Sequence, residues 1–338
     1  MRGIKLRIAA VGVAAVLSVT AACGGDDPNQ DPTASRSTSG ATTSPSASPT
    51  PTPTPSPTPS KKPADYDPLT GGKKVDDVVV AVKIDNVAAA RPQVGLTDAD
   101  MIVVERVESD LTRLLAIYHT SWPKRVGPVR SARNTDVELL PMFGEPGLVF
   151  SGANRKVKKQ VRSSPYLRPV ERSRRDYSRQ APHNVIVNLR NIKDLPDIGK
   201  AQPTGYVFGK SKQWDKAAEK KSFTVPVGTD DFGFRYDDGH YTVSWNGDPY
   251  ADGDSGDQVV TDNVVRITVK SHKDQNSTSD LSDVIETIGS GEATVYSGGK
   301  KLDGSWKRKK LDGPMTLTNS DGDDLVLKPG KTWLLLDG

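Results

Sequence analysis

The chain has 338 residues, of which 35% are hydrophobic and 25 are proline, so it is long enough for two domains but too polar to be packed core throughout. Its formal charge of +4 falls to about +1 if the first twenty or so residues are removed on export, which argues against a nucleic-acid-binding protein. The single cysteine, Cys23, excludes an internal disulfide and a multi-cysteine metal site.

Residues 1–22 have the organisation of a secretory signal peptide. A basic start at 1–7 is followed by an apolar run at 8–19 that is too short to span a bilayer. Thr20-Ala21-Ala22-Cys23 resembles the bacterial lipobox, in which the cysteine receives a diacylglycerol, although that pattern prefers Leu or Val where Thr20 stands. We therefore predict lipidation at Cys23 and a protein anchored at the extracytoplasmic face of the cell membrane. The alternative is an ordinary signal peptide with a fortuitous cysteine.

Residues 23–63 are dominated by serine, threonine and proline, with the run T-P-T-P-T-P-S-P-T-P at 50–59. Such a composition cannot bury a core, which predicts a disordered tether between the anchor and the folded part. Repeated proline favours an extended backbone, so the tether is expected to carry the folded part into the cell wall.

Residues 66–205 are predicted to form an N-terminal α/β domain. Apolar runs at 78–84, 101–107 and 114–118 each end in charged or turn residues, which is typical of strands that lead into a polar surface. Arg130 and Arg133 precede a predicted helix start, where either a bound anion or pairing with nearby acids would satisfy them. The candidate ligand-binding residues are Asp85, Asn86, Arg91, Glu105, Glu108, Arg113, Arg130 and Arg133.

Residues 154–179 are the most basic part of the chain, with ten Lys or Arg against Glu171 and Asp176. Such a run is usually a solvated face, and the functional alternative is a surface for an anionic glycopolymer or for lipid headgroups. The motif A-P-H-N at 181–184 precedes a short strand-like run, which makes His183, with Asn184 beside it, a candidate for catalysis. A histidine at such a position more often hydrogen-bonds a loop.

Residues 215–338 are predicted to form a β-rich C-terminal domain. Short β-type runs recur between 223 and 336, and the dipeptides G-G at 298–299 and D-G at 321–322 stand where hairpin turns are expected. Aspartates at 248–257 do not match the EF-hand template, so no metal site is predicted there. The predicted fold class is α+β, with an N-terminal α/β domain followed by a small, mostly-β sandwich or barrel.

Ordered motifs run from about residue 68 to the end of the chain: V-K-I-D-N at 82–86, A-R-P-Q-V-G-L-T-D-A-D at 90–100, T-R-L-L-A-I-Y at 112–118, G-P-V-R-S-A-R at 127–133, A-P-H-N at 181–184, G-S-G-E-A-T-V-Y-S-G-G at 289–299, G-S-W-K at 304–307 and K-P-G-K-T-W at 328–333. Together they resemble the YerB-like bacterial lipoproteins, a two-domain family of unknown function. Two departures are Lys83, where methionine is usual, and Glu108-Ser109-Asp110, where Glu-Gly-Gly is usual. The resemblance implies a surface lipoprotein with an α/β domain and a β-rich domain, and it implies no activity.

The first function hypothesis is a non-catalytic envelope protein. Its partners would be the membrane, through the lipid anchor, and a cell-wall polymer or envelope protein bound by the Asp/Arg-rich face, without a cofactor. Nucleic acid is not expected as a partner of an exported protein. A hydrolase using Glu105 and Glu108 is disfavoured, because residues three apart on a strand point to opposite faces.

The second hypothesis is a phosphotransferase, by analogy of arrangement with the LytR-type enzymes that act on polyprenyl-phosphate-linked glycopolymers. Only this alternative needs a divalent cation. The acid that would hold the cation is Asp85 or Asp100, and the arginines that would neutralise phosphate charge are Arg113, Arg130 and Arg133. The two hypotheses leave open whether the protein is an enzyme.

Overall fold

A computed structural model describes residues 66–275 and 283–338 of the chain. The predicted signal peptide, the predicted lipidation site Cys23 and the predicted tether lie outside these residues. In the described part strands predominate, and the predicted α+β class with a mostly-β second half is confirmed. None of the helices in this part of the chain is long and apolar enough to cross a membrane.

The described residues form 22 strands and two α-helices, labelled here in chain order. The strands before residue 220 are β1 (Val80–Asp85), β2 (Met101–Arg106), β3 (Thr112–Tyr118), β4 (Gly147–Val149), β5 (Arg168–Val170), β6 (Arg174–Arg175), β7 (Val185–Ile186), β8 (Val207–Phe208) and β9 (Ala218–Glu219). The α-helices are α1 (Asn134–Leu139) and α2 (Arg155–Ser163), and short 3-10 helices lie at Ala88–Ala90, Leu96–Asp98, Glu108–Asp110, Leu140–Phe143, Leu189–Asn191 and Lys212–Trp214. The later strands are β10 (Ser222–Val227), β11 (Asp230–Asp237), β12 (His240–Trp245), β13 (Asp248–Pro249), β14 (Val260–Thr261), β15 (Asn263–Thr268), β16 (Lys270–Lys273), β17 (Asp283–Glu286), β18 (Gly289–Ser297), β19 (Lys300–Arg308), β20 (Thr316–Thr318), β21 (Val326–Leu327) and β22 (Thr332–Asp337).

The strands β1, β2 and β3 are buried on both faces. Every residue of β1 and β3 is buried, which explains why these strands have nearly continuous apolar sequences. Because side chains alternate along a strand, odd-numbered residues such as Ala81 and Leu115 join one hydrophobic core. Even-numbered residues such as Val82 and Leu114 join the other.

The largest sheet of the described residues joins both halves of the chain. Its strand order is β20-β19-β18-β15-β22-β2-β3-β1-β4-β5, and β9 also pairs with β19. The last strand, β22, lies parallel to both β2 and β15, so that Thr332 stands opposite Met101 and Asn263. The C-terminal strand therefore connects the two halves through continuous backbone hydrogen bonding.

Different elements cover the two faces of β1–β3. On the odd-numbered face, Leu139 of α1 and Val157 of α2 belong to the same buried cluster as the strands. On the even-numbered face lies a second sheet, β10 to β14, whose Phe232 and Phe234 rings have centroids 6.0 and 5.9 Å from that of Trp333 in β22. The alternating burial along β10 is the expected pattern for a sheet with one solvated face.

Two turns show why particular residues stand where they do. Gly298 and Gly299 connect β18 to β19 with φ angles of 59° and 77°, as the predicted hairpin requires. Ser109 and Asp110, between β2 and β3, also have positive φ angles, 58° and 57°. Glycine adopts this conformation more readily, so the Gly-Gly that the family resemblance associates with this turn has a backbone reason.

Candidate functional site

Charged side chains gather at one end of β1, β2 and β3. Asp85, Arg113 and Glu105 lie opposite one another in the strand register. All three are odd-numbered, so they continue the face that is apolar further along the strands, and Lys83 shares that face. These residues form two layers, one buried and one partly open to solvent.

The inner layer is a buried triad of Lys83, Glu105 and Asp136. Lys83 Nζ donates to Glu105 Oε1 and also to Asp136 Oδ1, the latter at 2.7 Å, and none of the three residues is more than 1% exposed. Burial raises the pKa of Glu105 to about 7, against the opposing attraction of Lys83. The carboxylate of Glu105, which the sequence predicts as a ligand contact, is enclosed and bonded to Lys83.

Replacing Glu105 with glutamine is expected to remove a pH dependence of stability. A carboxyl group whose pKa is raised on folding stabilises the folded state fully below its unfolded pKa, about 4.5, and this contribution is lost as the pH rises through about 7. From about pH 5 to pH 8, the native protein should therefore lose stability relative to the Glu105→Gln variant. Urea unfolding of both proteins across this range measures the difference, and a difference that stays constant would contradict the expectation.

The outer layer consists of three arginines, Arg113, Arg130 and Arg133, which we call the arginine cluster. Arg113 belongs to β3, and the other two belong to the segment G-P-V-R-S-A-R. This segment runs beside the end of β1, where the Arg130 N–H donates to the Lys83 carbonyl oxygen at 2.8 Å. Arg113 is 9% exposed, and the side chains of Arg130 and Arg133 are 26% and 14% exposed, so the cluster is partly accessible.

Two members of the cluster are paired with carboxylates. Arg130 Nε lies 2.9 Å from Asp85 Oδ2, and Arg133 Nη2 donates to Glu108 Oε2 at 2.6 Å. Partial burial opposes ionisation of Glu108, but the Arg133 guanidinium holds the pKa of that carboxyl below its ordinary value. Internal pairing, one of the two arrangements expected from the sequence, is therefore present for Arg130 and Arg133.

Arg113 is held differently. Its Nη1 donates to the Ser131 carbonyl oxygen at 2.9 Å. Burial, followed by the positive charges of Arg133 and Arg130, lowers the pKa of Arg113 to about 10. In the outer layer three guanidinium groups thus meet two carboxylates, and Arg133 also interacts with Glu105 of the inner layer. An added oxyanion would relieve the mutual repulsion of the guanidinium groups.

His183 joins this group, whereas Asn184 does not. His183 Nδ1 lies 2.7 Å from the same Asp85 oxygen that Arg130 approaches, and the histidine side chain is 16% exposed. A carboxylate in this position fixes the orientation of an imidazole ring. Asn184 Oδ1 instead accepts a hydrogen bond from Arg175 Nη1 at 3.3 Å, within the hairpin formed by β6 and β7.

Asn86 and Arg91 form a joint between the two halves of the chain. Arg91 Nη2 donates to Asn86 Oδ1 at 2.7 Å, and its guanidinium carbon lies 3.7 Å from the Trp245 ring centroid and 4.2 Å from that of Tyr250. The Tyr250 hydroxyl donates to the same Asn86 oxygen at 2.7 Å. Asn86 and Arg91, which the sequence predicts as ligand contacts, thus use their polar groups in contacts within the protein.

Asp100 lies at the opposite end of β2 from Glu105 and the arginine cluster. Its carboxylate accepts the backbone N–H groups of His119 at 2.6 Å and Thr120 at 2.9 Å, and burial raises its pKa. The length of the strand therefore separates Asp100 from the arginines with which the phosphotransferase hypothesis would combine it. Within residues 66–275 and 283–338, no group of three or more His, Cys, Asp or Glu side chains is arranged to hold a metal ion.

The helix start after the arginines is satisfied by the chain itself. α1 begins at Asn134, and Asp136 Oδ2 accepts the Arg133 backbone N–H at 2.7 Å. An acidic side chain in the first turn is the usual way to complete such a terminus. The expected anion site at the helix start is thus occupied by Asp136, and the case for anion binding rests on the arginine side chains.

Comparisons with known proteins match most of the chain. The protein of unknown function (DUF3048) N-terminal domain matches residues 69–203, and the DUF3048 C-terminal domain matches residues 223–334. A protein of Bacillus subtilis (strain 168) described as "Putative lipoprotein YerB" is 30% identical over 288 residues, which are 79% of this chain and 84% of that protein. The crystal structure of YerB from Bacillus subtilis superposes with a TM-score of 0.67 at 26% identity, covering 80% of this chain and 96% of that one.

Proposed function

The chain belongs to the family that combines the DUF3048 N-terminal and C-terminal domains, and we propose that it is a lipid-anchored envelope protein whose arginine cluster binds an anionic ligand. Its Bacillus subtilis relative is described as a lipoprotein, which supports an anchor at Cys23. The proposed location is the extracytoplasmic face of the membrane, and the proposed activity is binding without a chemical step.

The excess of guanidinium groups over carboxylates is the observation that supports this proposal most directly. Arg113 is partly desolvated and is repelled by Arg133 and Arg130, against the attraction of Glu108 and Asp85, and the balance lowers its pKa to about 10. Planar guanidinium groups match the oxygens of phosphates and carboxylates with two hydrogen bonds each. A polymer that carries such groups in its repeating unit is the ligand class that suits an exported, wall-facing protein.

A phosphotransferase is the less favoured alternative. It needs an acid free to hold a divalent cation next to the arginines. Asp100 lies away from the arginine cluster, and Asp85 is engaged by Arg130 and His183. We therefore assign no catalytic role to either aspartate.

Retention on purified cell wall tests the proposal. The exported chain, residues 23–338 with Cys23→Ser to prevent lipidation, is incubated with protein-free wall that retains its phosphate polymers. Arg130→Ala combined with Arg133→Ala is expected to reduce retention at least tenfold, because each lost arginine contact to an oxyanion contributes about 1.5–3 kcal/mol. Wall stripped of its phosphate polymers is expected to retain neither the parent protein nor the Arg130→Ala plus Arg133→Ala variant.

A matched control removes two cations elsewhere that are also paired with carboxylates. Arg266 and Lys200 bond Asp337 and Asp76, each at 2.7 Å, outside both the arginine cluster and residues 155–179. Arg266→Ala combined with Lys200→Ala should leave retention unchanged. Equal retention of the arginine-cluster variant and this control would exclude the arginine cluster as the binding site, provided that thermal unfolding shows both variants to be folded.

A further inference from the structure

The charged side chains of the most basic stretch of the sequence, residues 155–179, are mostly exposed, and we call this segment the basic face. Its first part is α2, which turns Val157 and Val161 into the core, both 0% exposed. The charged residues of α2 lie on the side of the helix that faces away from the core. The side chains of Arg155 and Lys159 are exposed to solvent. The helix therefore presents cations to the solvent over most of its circumference.

The acids of the basic face do not neutralise it. Glu171 is shared between Lys158 at 2.8 Å and Arg162 at 2.6 Å, which also fastens the segment after β5 to α2. Asp176 bonds Arg125, at 2.6 Å, which lies outside the segment. Exposed cations without a carboxylate within 4 Å among the described residues include Arg155, Lys159, Arg172 and Arg174.

An exposed aromatic ring lies in the same segment of the chain. Tyr177 lies in the turn between β6 and β7 and is 89% exposed. In the described part of the chain, Leu111, at 42%, is the other large hydrophobic side chain that is exposed. Tyrosine has an apolar ring and a polar tip, and this combination favours the boundary between water and the apolar part of a bilayer.

We propose that the basic face, with Tyr177 inserted at the headgroup level, docks on the anionic lipid surface of the membrane that carries the anchor. Exposed cations together with an exposed tyrosine ring combine the two interactions that a bilayer surface offers, which are attraction by anionic headgroups and an interfacial position for the ring. The lipid anchor proposed at Cys23 confines the protein to the vicinity of the bilayer even if the predicted tether reaches into the wall, so a weak second contact can bring the folded part to the lipid surface. The arginine cluster has no part in this contact.

Vesicle binding by protein that lacks the lipid tests the proposal. The exported chain with Cys23→Ser is sedimented with vesicles of phosphatidylglycerol and phosphatidylcholine, or of phosphatidylcholine alone. We expect binding to the anionic vesicles only, and release in about 0.5 M salt. Arg155→Glu combined with Lys159→Glu should weaken partitioning on the order of 25-fold, and Tyr177→Ser should weaken it by a smaller factor.

A charge-matched control separates the basic face from net charge. Lys216→Glu combined with Lys309→Glu reverses two exposed cations of the C-terminal half and should leave partitioning within about twofold of the parent protein. A Tyr177→Trp variant should show tryptophan emission at shorter wavelength with anionic vesicles, whereas the parent protein should not. This readout reports insertion of the ring directly.

Three outcomes would overturn the proposal. Equal weakening by the two charge-reversal pairs would show that only net charge matters. An unshifted Tyr177→Trp emission, together with equally tight binding of soluble poly(glycerol phosphate), would assign the face to soluble polyanions. Loss of vesicle binding in the Arg130→Ala plus Arg133→Ala variant, with the basic face intact, would assign the membrane contact to the arginine cluster. Retention on cell wall is measured in a separate assay. The failure of one proposal therefore leaves the other testable.

Discussion

Replacing Lys83 with methionine is expected to lower the free energy of unfolding by about 3–5 kcal/mol at pH 8, because it leaves two buried carboxylates without their cation. Lys83 is 0% exposed and donates to both Glu105 and Asp136. Methionine has a suitable length and is the residue that the family resemblance associates with this position. The loss would therefore come from uncompensated charge and not from an unfilled volume.

Two further measurements make this expectation specific. At pH 5 the cost of Lys83→Met should be smaller, because a protonated Glu105 carries no charge to be left unpaired. Lys83→Met combined with Glu105→Gln should recover part of the stability, which a double-mutant cycle would report as coupling. Urea unfolding that shows a cost below about 1 kcal/mol at both pH values would contradict the buried ion pair.

The positions of the early strands could be predicted from the sequence, and the partners of their charged residues could not. The runs that contain β1, β2 and β3 are apolar and are bounded by charged residues. This local pattern predicts both the positions of the strands and the polar end of the sheet. Lys83 indicates from the sequence that a buried ion pair is present, since a lone lysine within a buried run needs a partner of opposite charge. One of its two partners, Asp136, lies 53 residues away, and no local pattern connects the two.

In the second half of the chain, too, strand pairing over long distances in sequence determines features that the local sequence does not predict. The extent of β19 (Lys300–Arg308) is not indicated by its own sequence, because K-K-L-D-G-S-W-K-R is mostly polar and lacks a clear apolar alternation. Its pairing with β18 supplies the missing information. The sequence T-W-L-L-L-D predicts a buried strand at β22. Its position between β2 and β15 depends on pairing with distant residues, and β2 lies more than half of the chain away.

Replacing Arg91 with alanine is expected to destabilise the protein by about 3 kcal/mol without weakening retention on cell wall. The guanidinium group packs against Trp245 and Tyr250, with distances of 3.7 and 4.2 Å to the ring centroids, and bonds Asn86 at 2.7 Å. Burial lowers the pKa of Arg91, which indicates that it is held away from solvent. Alanine would remove the cation–π contacts and a charged hydrogen bond together.

Comparison of Arg91→Ala with an exposed arginine distinguishes packing from charge. Arg172→Ala, on the solvated surface, should change the free energy of unfolding by no more than about 0.5 kcal/mol. Arg91→Lys keeps the positive charge but loses the planar group, so it should be destabilised nearly as much as Arg91→Ala. If Arg91→Lys were as stable as the native protein, or if folded Arg91→Ala lost wall retention, Arg91 would act through its charge at a ligand site. A destabilised Arg91→Lys variant, with wall retention kept in folded Arg91→Ala, would show that Arg91 acts by packing the second sheet against β1–β3.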